Sequence, residues 1–144
     1  MIIKKTVIPE TEDERAELYL HEKSPLGAAI ENLAADHACE LIGYAGEEAV
    51  RLRPSEVVCF TSEGGRVYAR TAKRVYLLRL RLYRIEEMLS SDFIRINQSC
   101  IANVRHIERF DVSFSGTLQV FFRGGYRDFV SRRNLRSVKE RFGL

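Results

Sequence analysis

From Glu40 onward the chain is cut into short runs by turn residues, and this punctuation constrains the fold more than any single motif. Leu41-Ile-Gly-Tyr44 and Ala49-Val-Arg-Leu52 flank the polar tetrapeptide Ala45-Gly-Glu-Glu48. Pro54-Ser55-Glu56 turns the chain into Val57-Val-Cys-Phe60, and 61–65 is a polar loop holding two glycines. Arg66-Val-Tyr-Ala-Arg-Thr71 alternates strictly, and after Ala72-Lys73 the run 74–79 returns. Short period-two runs bounded by Gly, Pro, Ser and Asp are strands, often paired as hairpins. Helical spacing replaces this pattern at 80–89, through Leu82, Ile85 and Leu89, and again after Ser131, through Leu135, Val138 and Phe142. The pattern predicts a mainly β chain with two short helices in this part.

The middle of this region is Phe93-Ile-Arg-Ile-Asn-Gln-Ser-Cys-Ile-Ala-Asn-Val-Arg-His-Ile107. It reads as two short apolar strands, the second carrying Ile101, Val104 and Ile107, around a polar break of Asn97, Gln98 and Ser99. Asn and Gln present a donor and an acceptor in one plane, which matches the N6 and N7 edge of adenine in a major groove. The same side chains can instead satisfy the backbone of their own turn. The residues alone leave both roles open. Downstream, 108–114 continues extended, Ser115-Gly116 turns into 117–122, and Gly124-Gly125 turns into 126–130. Ser131 then caps the last helix.

The first 40 residues have a different character. Residues 2–8 read as a strand stopped at Pro9, and 15–21 reads as another through the alternation of Ala16, Leu18 and Leu20, although its Ala, Glu and Leu content also suits a short helix. Ser24-Pro25 opens a helix that Leu26, Ala29, Ile30, Leu33 and Ala34 carry to about His37. This strand–strand–helix piece, 1–40, is too small to bury a core by itself. The expected division is therefore an extension over 1–40 and a main domain over 41–144, with the extension packing on the domain or on a second copy.

Charge divides along nearly the same line. Residues 1–50 hold 4 Lys and Arg against 11 Asp and Glu, whereas 51–144 hold 19 against 9, and 17 of those 19 cations are Arg. An Arg-rich segment of this net charge suits a polyanion, with nucleic acid the leading partner. Enzyme chemistry finds little support. His21, His37 and His106 have no metal-ligand spacing, no G-x-S-x-G or phosphate-loop motif occurs, and Glu63-Gly64-Gly65 precedes a strand rather than a helix. Cys39, Cys59 and Cys100 form no C-x-x-C and read as small core hydrophobes. Neither catalytic residues, a metal nor a cofactor is expected. No run approaches the roughly 20 apolar residues of a membrane span, and Met1-Ile-Ile-Lys-Lys5 is unlike a signal peptide, so a cytoplasmic location is expected. No helix-turn-helix pattern occurs, so a duplex would be read from loops or strands.

Four ordered stretches within 41–144 resemble the LytTR DNA-binding domain of bacterial transcription regulators. They are Pro54-Ser-Glu-Val-Val-Cys-Phe-Thr-Ser-Glu-Gly-Gly65, the segment at 82–89, Phe93-Ile-Arg-Ile-Asn-Gln-Ser-Cys-Ile-Ala-Asn103 and Val130-Ser-Arg-Arg133. The third resembles the family signature F-x-R-I-H-R-S-Y-I-V-N. The chain as a whole is similar to stand-alone members that carry a short N-terminal extension in place of a receiver domain. The resemblance implies an α+β fold, mainly β, of small antiparallel sheets whose loops enter successive major grooves.

Residue by residue, the resemblance puts Gly65 and Arg66 in a first reading loop and Asn97, Gln98 and Ser99 in a second. It puts Arg133, with Arg132 beside it, in a third. The signature's His-Arg is Asn97-Gln98 here, which removes a cation and shifts the expected preference toward adenine. Its Tyr is Cys100. Arg95 fits either a brace for the loop or a phosphate contact, and Asn103 reads as bonding nearby backbone.

The expected function is a sequence-specific regulator of transcription that binds double-stranded DNA as a homodimer paired through 1–40. Some stand-alone relatives work beside a membrane-protein partner. The competing expectation is a protein-interaction module whose basic strands bind an acidic partner; RNA binding would call for exposed aromatics such as Tyr68 and Tyr76.

Overall fold

The computed structural model describes residues 25–144 and, ahead of them, residues 6–9, 11, 17 and 19–21. The order is α1 (Pro25–Ala38), β1 (Leu41–Ala45), β2 (Glu48–Leu52), β3 (Val57–Glu63), β4 (Arg66–Thr71), β5 (Val75–Leu78), α2 (Leu82–Met88), β6 (Phe93–Asn97), β7 (Cys100–Asn103), β8 (Ile107–Val112), β9 (Leu118–Phe122), β10 (Arg127–Val130) and α3 (Arg132–Phe142). All strand pairs are antiparallel. They form a seven-stranded sheet in the order β2-β1-β5-β4-β3-β7-β6 and a three-stranded sheet in the order β10-β9-β8. The mainly β, α+β fold with two short helices in its main part is as the sequence pattern and the resemblance led one to expect.

Val57, Val58, Cys59 and Phe60 of β3 are all buried, because this strand is covered on both faces. One face belongs to a core in which Phe60, Val67, Ala69, Tyr76, Leu78 and Leu41 meet Leu82 and Ile85 of α2. The other belongs to a second core, where Cys59, Ile96, Cys100 and Ala102 meet Leu118, Val120 and Phe122 of the smaller sheet and Val138 of α3. Along β7, alternation sends Ile101 into the first core and Cys100 and Ala102 into the second, while β4 buries only Val67 and Ala69, both in the first. Cys39, just past α1, lies in the first core. Asp36 of α1 accepts hydrogen bonds from Ser55 N and Oγ at 3.0 and 2.6 Å, so α1 is fastened to the turn before β3. In β1, Gly43 is required by a close approach: a Cβ there would lie 2.7 Å from the Cβ of Tyr76.

Several expectations shift. The polar stretch 61–65 is mostly strand, since β3 runs to Glu63 and only Gly64 and Gly65 turn. Both have positive φ, 57° and 75°, the left-handed pair that a two-residue hairpin needs. The second central strand stops at Asn103, and Val104–His106 is a 3-10 turn rather than its continuation. There the buried Asn103 donates to Val57 O at 2.9 Å and accepts from Arg105 N at 3.0 Å, which caps the 3-10 turn and ends the strand. Of the strands expected at 2–8 and 15–21, residues 6–8, 17 and 19–21 carry no strand, and the others lie outside the described residues. Alternation supplies a face but not the neighbouring strand whose hydrogen bonds complete it.

Candidate nucleic-acid interface

Three turns that lie far apart in the chain meet at one side of the fold. The β3–β4 turn (Gly64, Gly65) leads into exposed Arg66. The β6–β7 turn holds Gln98 and Ser99, both exposed, with half-buried Asn97 before them. The β10–α3 junction leads through Ser131 into exposed Arg132 and Arg133. Backbone hydrogen bonds hold them together: Ser62 N donates to Ser99 O at 2.8 Å, and Ser131 N donates to Ile96 O at 2.9 Å. The middle turn is therefore tied to the other two. All seven residues picked out from the sequence fall on these three segments, and none is buried.

The middle turn is rigid for local reasons as well. β6 and β7 slip register between Arg95 and Asn97, a bulge that sinks Ile96 into the second core. Arg95 settles on the bracing role: Nε and Nη2 donate to Glu86 Oε2 at 2.9 and 2.8 Å, and Nη1 donates to Gln98 O at 2.9 Å. Asn97 is likewise engaged within the protein. Its amide donates to Asp128 Oδ1 at 3.0 Å and to Phe129 O at 2.7 Å, and its carbonyl accepts from Ser99 N at 2.8 Å. The carboxamide thus serves its own turn and β10, one of the two roles the sequence left open. Gln98 has no side-chain hydrogen bond among the described residues, which leaves its donor–acceptor edge available.

The third segment is set by α3. Ser131 Oγ accepts from Asn134 N at 3.3 Å and donates to Asn134 Oδ1 at 2.8 Å, the N-cap the sequence predicted. Gly143, in the left-handed region at φ 68°, closes the other end. Leu135, Val138 and Phe142 pack the helix on the second core, where Phe142 meets Phe110 edge to face with ring centres 4.7 Å apart. Its first turn holds Arg132 and Arg133 and no acidic residue. Cations at a helix N-terminus oppose the macrodipole, so this turn is improved by an anion placed against it. Among the described residues neither arginine, nor Arg66, has an ion-pair partner.

The sequence did not single out Asp128, Tyr126, Arg70 or Glu63. Tyr126 Oη donates to Asp128 Oδ2 at 3.1 Å, the Arg70 guanidinium sits 4.4 Å from the centre of the Tyr126 ring, and Arg70 Nη2 pairs with Glu63 Oε1 at 2.8 Å. Burial, and then the Asp128 carboxylate, push the Tyr126 phenol well above its ordinary range, which keeps it a donor. One signal could have found Asp128: it is the only acidic residue between Asp111 and Glu140, in a stretch rich in arginine. The cysteines behave as core hydrophobes. All three are free and buried, and contact with Cys59 followed by burial holds the Cys100 thiol far above its usual range. Among the described residues there is no cluster of His, Cys, Asp and Glu suited to a metal, and no helix is long and apolar enough to cross a membrane.

Comparison with known proteins agrees with this architecture. A solved LytTr DNA-binding domain from Bacillus cereus superposes with a TM-score of 0.68 at 21% identity, over 73% of this chain and 97% of that one, a likeness of fold. Uncharacterized HTH-type transcriptional regulators of Staphylococcus aureus, in strains COL and MW2 among others, are 33% identical over 116 residues, covering 81% of this chain and 78% of theirs. Those regulators are named for a helix-turn-helix, yet in the present fold five strands separate α2 from α3. The model of the LytTr DNA-binding domain matches residues 47–143, and the chain belongs to that family.

Proposed function

We propose that this protein is a regulator of transcription that binds double-stranded DNA and reads its sequence from loops in the major groove, with no helix inserted to do so. The observation that carries this reading is the gathering of the β3–β4 turn, the β6–β7 turn and the start of α3 into one exposed surface, with Arg66, Arg132 and Arg133 in no ion pair among the described residues. Arginines there position the protein on phosphates, and Gln98, Ser99 and Arg133 reach base edges. Gly65 lets the backbone of the first turn come close to the duplex. Asn97 belongs to the surface as the residue that shapes its middle turn. Turns that enter neighbouring grooves also require some bending of the duplex.

The protein acts in the cytoplasm as a homodimer. Residues 1–40 supply the pairing surface, and their acidity keeps them off the DNA. Sedimentation of the chain with and without residues 1–40 tests the pairing: an unchanged monomer–dimer balance in a folded protein rejects it.

Selection of bound duplexes from a random pool, followed by titration of the winners against salt, tests the function. Enrichment of one motif, with affinity that falls steeply as salt rises and exceeds that for a scrambled duplex, is expected. Recovery of no motif would overturn the reading and favour a module that binds acidic proteins.

A further inference from the structure

Asp128 is out of place on this surface. Its half-buried carboxylate lies beside the three segments, two of which carry exposed arginines, where a negative charge opposes the approach of phosphates. Its contacts give it a role. Oδ1 accepts from Asn97 Nδ2 at 3.0 Å and from Phe129 N at 2.7 Å, and Oδ2 accepts from Tyr126 Oη at 3.1 Å. Through Asn97 it reaches the β6–β7 turn, where the same amide also holds Phe129 O at 2.7 Å. Through Tyr126 and Arg70 it reaches Glu63, the last residue before the Gly64 and Gly65 turn. Along its own strand it lies three residues before the Ser131 cap of α3. One carboxylate therefore connects all three segments.

We propose that Asp128 is a positioning residue for sequence reading: it fixes the spacing of the three turns, so discrimination between duplexes depends on a side chain that contacts no base. This inference rests on the duplex-reading function proposed above. A side chain held by three neutral donors is set more firmly than one held by a single contact. Reading groups that are misplaced by a small distance lose their bidentate hydrogen bonds to bases, while attraction to phosphates tolerates the same displacement. Removing Asp128 should therefore separate two quantities that simple loss of folding would lower together.

The test compares the full chain with Asp128→Ala, Asp128→Asn and Tyr126→Phe, on the duplex recovered by selection and on its scrambled version, with thermal melts of each variant. For Asp128→Ala the ratio of the two affinities should fall by about tenfold, the cost of roughly one lost base contact. Affinity for the scrambled duplex should hold or rise by about twofold as a negative charge leaves the surface. Asp128→Asn keeps an acceptor for Asn97 and should retain most of the discrimination. An unchanged ratio for Asp128→Ala, or a parallel fall in both affinities, overturns the proposal. If Asp128→Ala melts below the assay temperature, Tyr126→Phe decides. It removes only the hydroxyl, so a reduced ratio supports the proposal and an unchanged one overturns it. A wild-type chain with no preference between the duplexes would instead reject the duplex-reading function itself.

Discussion

The β6–β7 turn at 97–99 and the β8–β9 turn at 113–117 are both hairpin ends rich in hydrogen-bonding side chains, the second also holding Phe114. In the second, Ser113, Ser115 and Thr117 bond to one another, with Ser113 Oγ 2.8 Å from Ser115 Oγ and Ser115 Oγ 3.1 Å from Thr117 Oγ1. Phe114 at its tip is fully exposed. In the first, Asn97 bonds to β10, Ser99 to β3, and the Ile96 carbonyl to the cap of α3. Both turns hold polar side chains that bond locally. The difference is what surrounds them: one turn closes on itself, while the other is fixed by bonds to three other segments. A surface that must match spaced base edges needs the second arrangement, because each bonded segment removes freedom that binding would otherwise have to remove.

This contrast can be broken at its foundation. Ile96 is fully buried beneath the tied turn, so Ile96→Ala should destabilise the fold by about 2–5 kcal/mol in urea unfolding. Phe114→Ser, at the self-contained tip, should change stability by no more than about 0.5 kcal/mol. Comparable costs at the two positions would mean the β8–β9 tip is anchored as well.

The polar bonds themselves come next. Asn97→Ala removes one donor from the Asp128 carboxylate, the donor to Phe129 O and the acceptor for Ser99 N, and a loss of about 1–3 kcal/mol is expected by the same measurement. Ser115→Ala should again stay within about 0.5 kcal/mol. On the binding side, Arg133→Ala should weaken the selected duplex by about 1–3 kcal/mol while affecting a scrambled one less. Equal losses on both would make Arg133 a phosphate contact.

The smallest effect concerns pH. Burial and then Asp128 raise the Tyr126 phenol above its ordinary value, so the folded chain keeps that proton where the unfolded chain gives it up. The resulting stability is complete below the ordinary phenol range, near 10, and is lost as pH rises through the folded value. Urea midpoints followed from about pH 8 to about pH 11 should decline more for wild type than for Tyr126→Phe. Equal slopes would show that Tyr126 is not held by this network.

Much of the fold was legible because its signals are local. The alternation at 66–71, the glycine pair at 64 and 65, and the Ser131 cap each depend on a few adjacent residues and produced the elements expected of them. The end of β3 was not legible, since polar Thr61 and Ser62 are drawn into the strand by pairing with β4, and Thr61 by pairing with β7 as well. The site divides in the same way. Arg132 and Arg133 could be placed at a helix start from sequence alone. The use of Asn97 could not, because its partners Asp128 and Phe129 lie 31 and 32 residues away.

Taken alone, the order of residues determined a mainly β chain, its turns, its capped last helix and an arginine-rich half suited to a polyanion. Periodicity, backbone preference and net charge need no knowledge of distant neighbours. Only the tertiary structure decided that β3 divides two cores, that three separate turns share one surface, and which polar side chains on that surface are already bonded within the protein. Those outcomes depend on contacts between residues tens of positions apart, and a hydrogen-bonding group reveals its use only when its partner is in place.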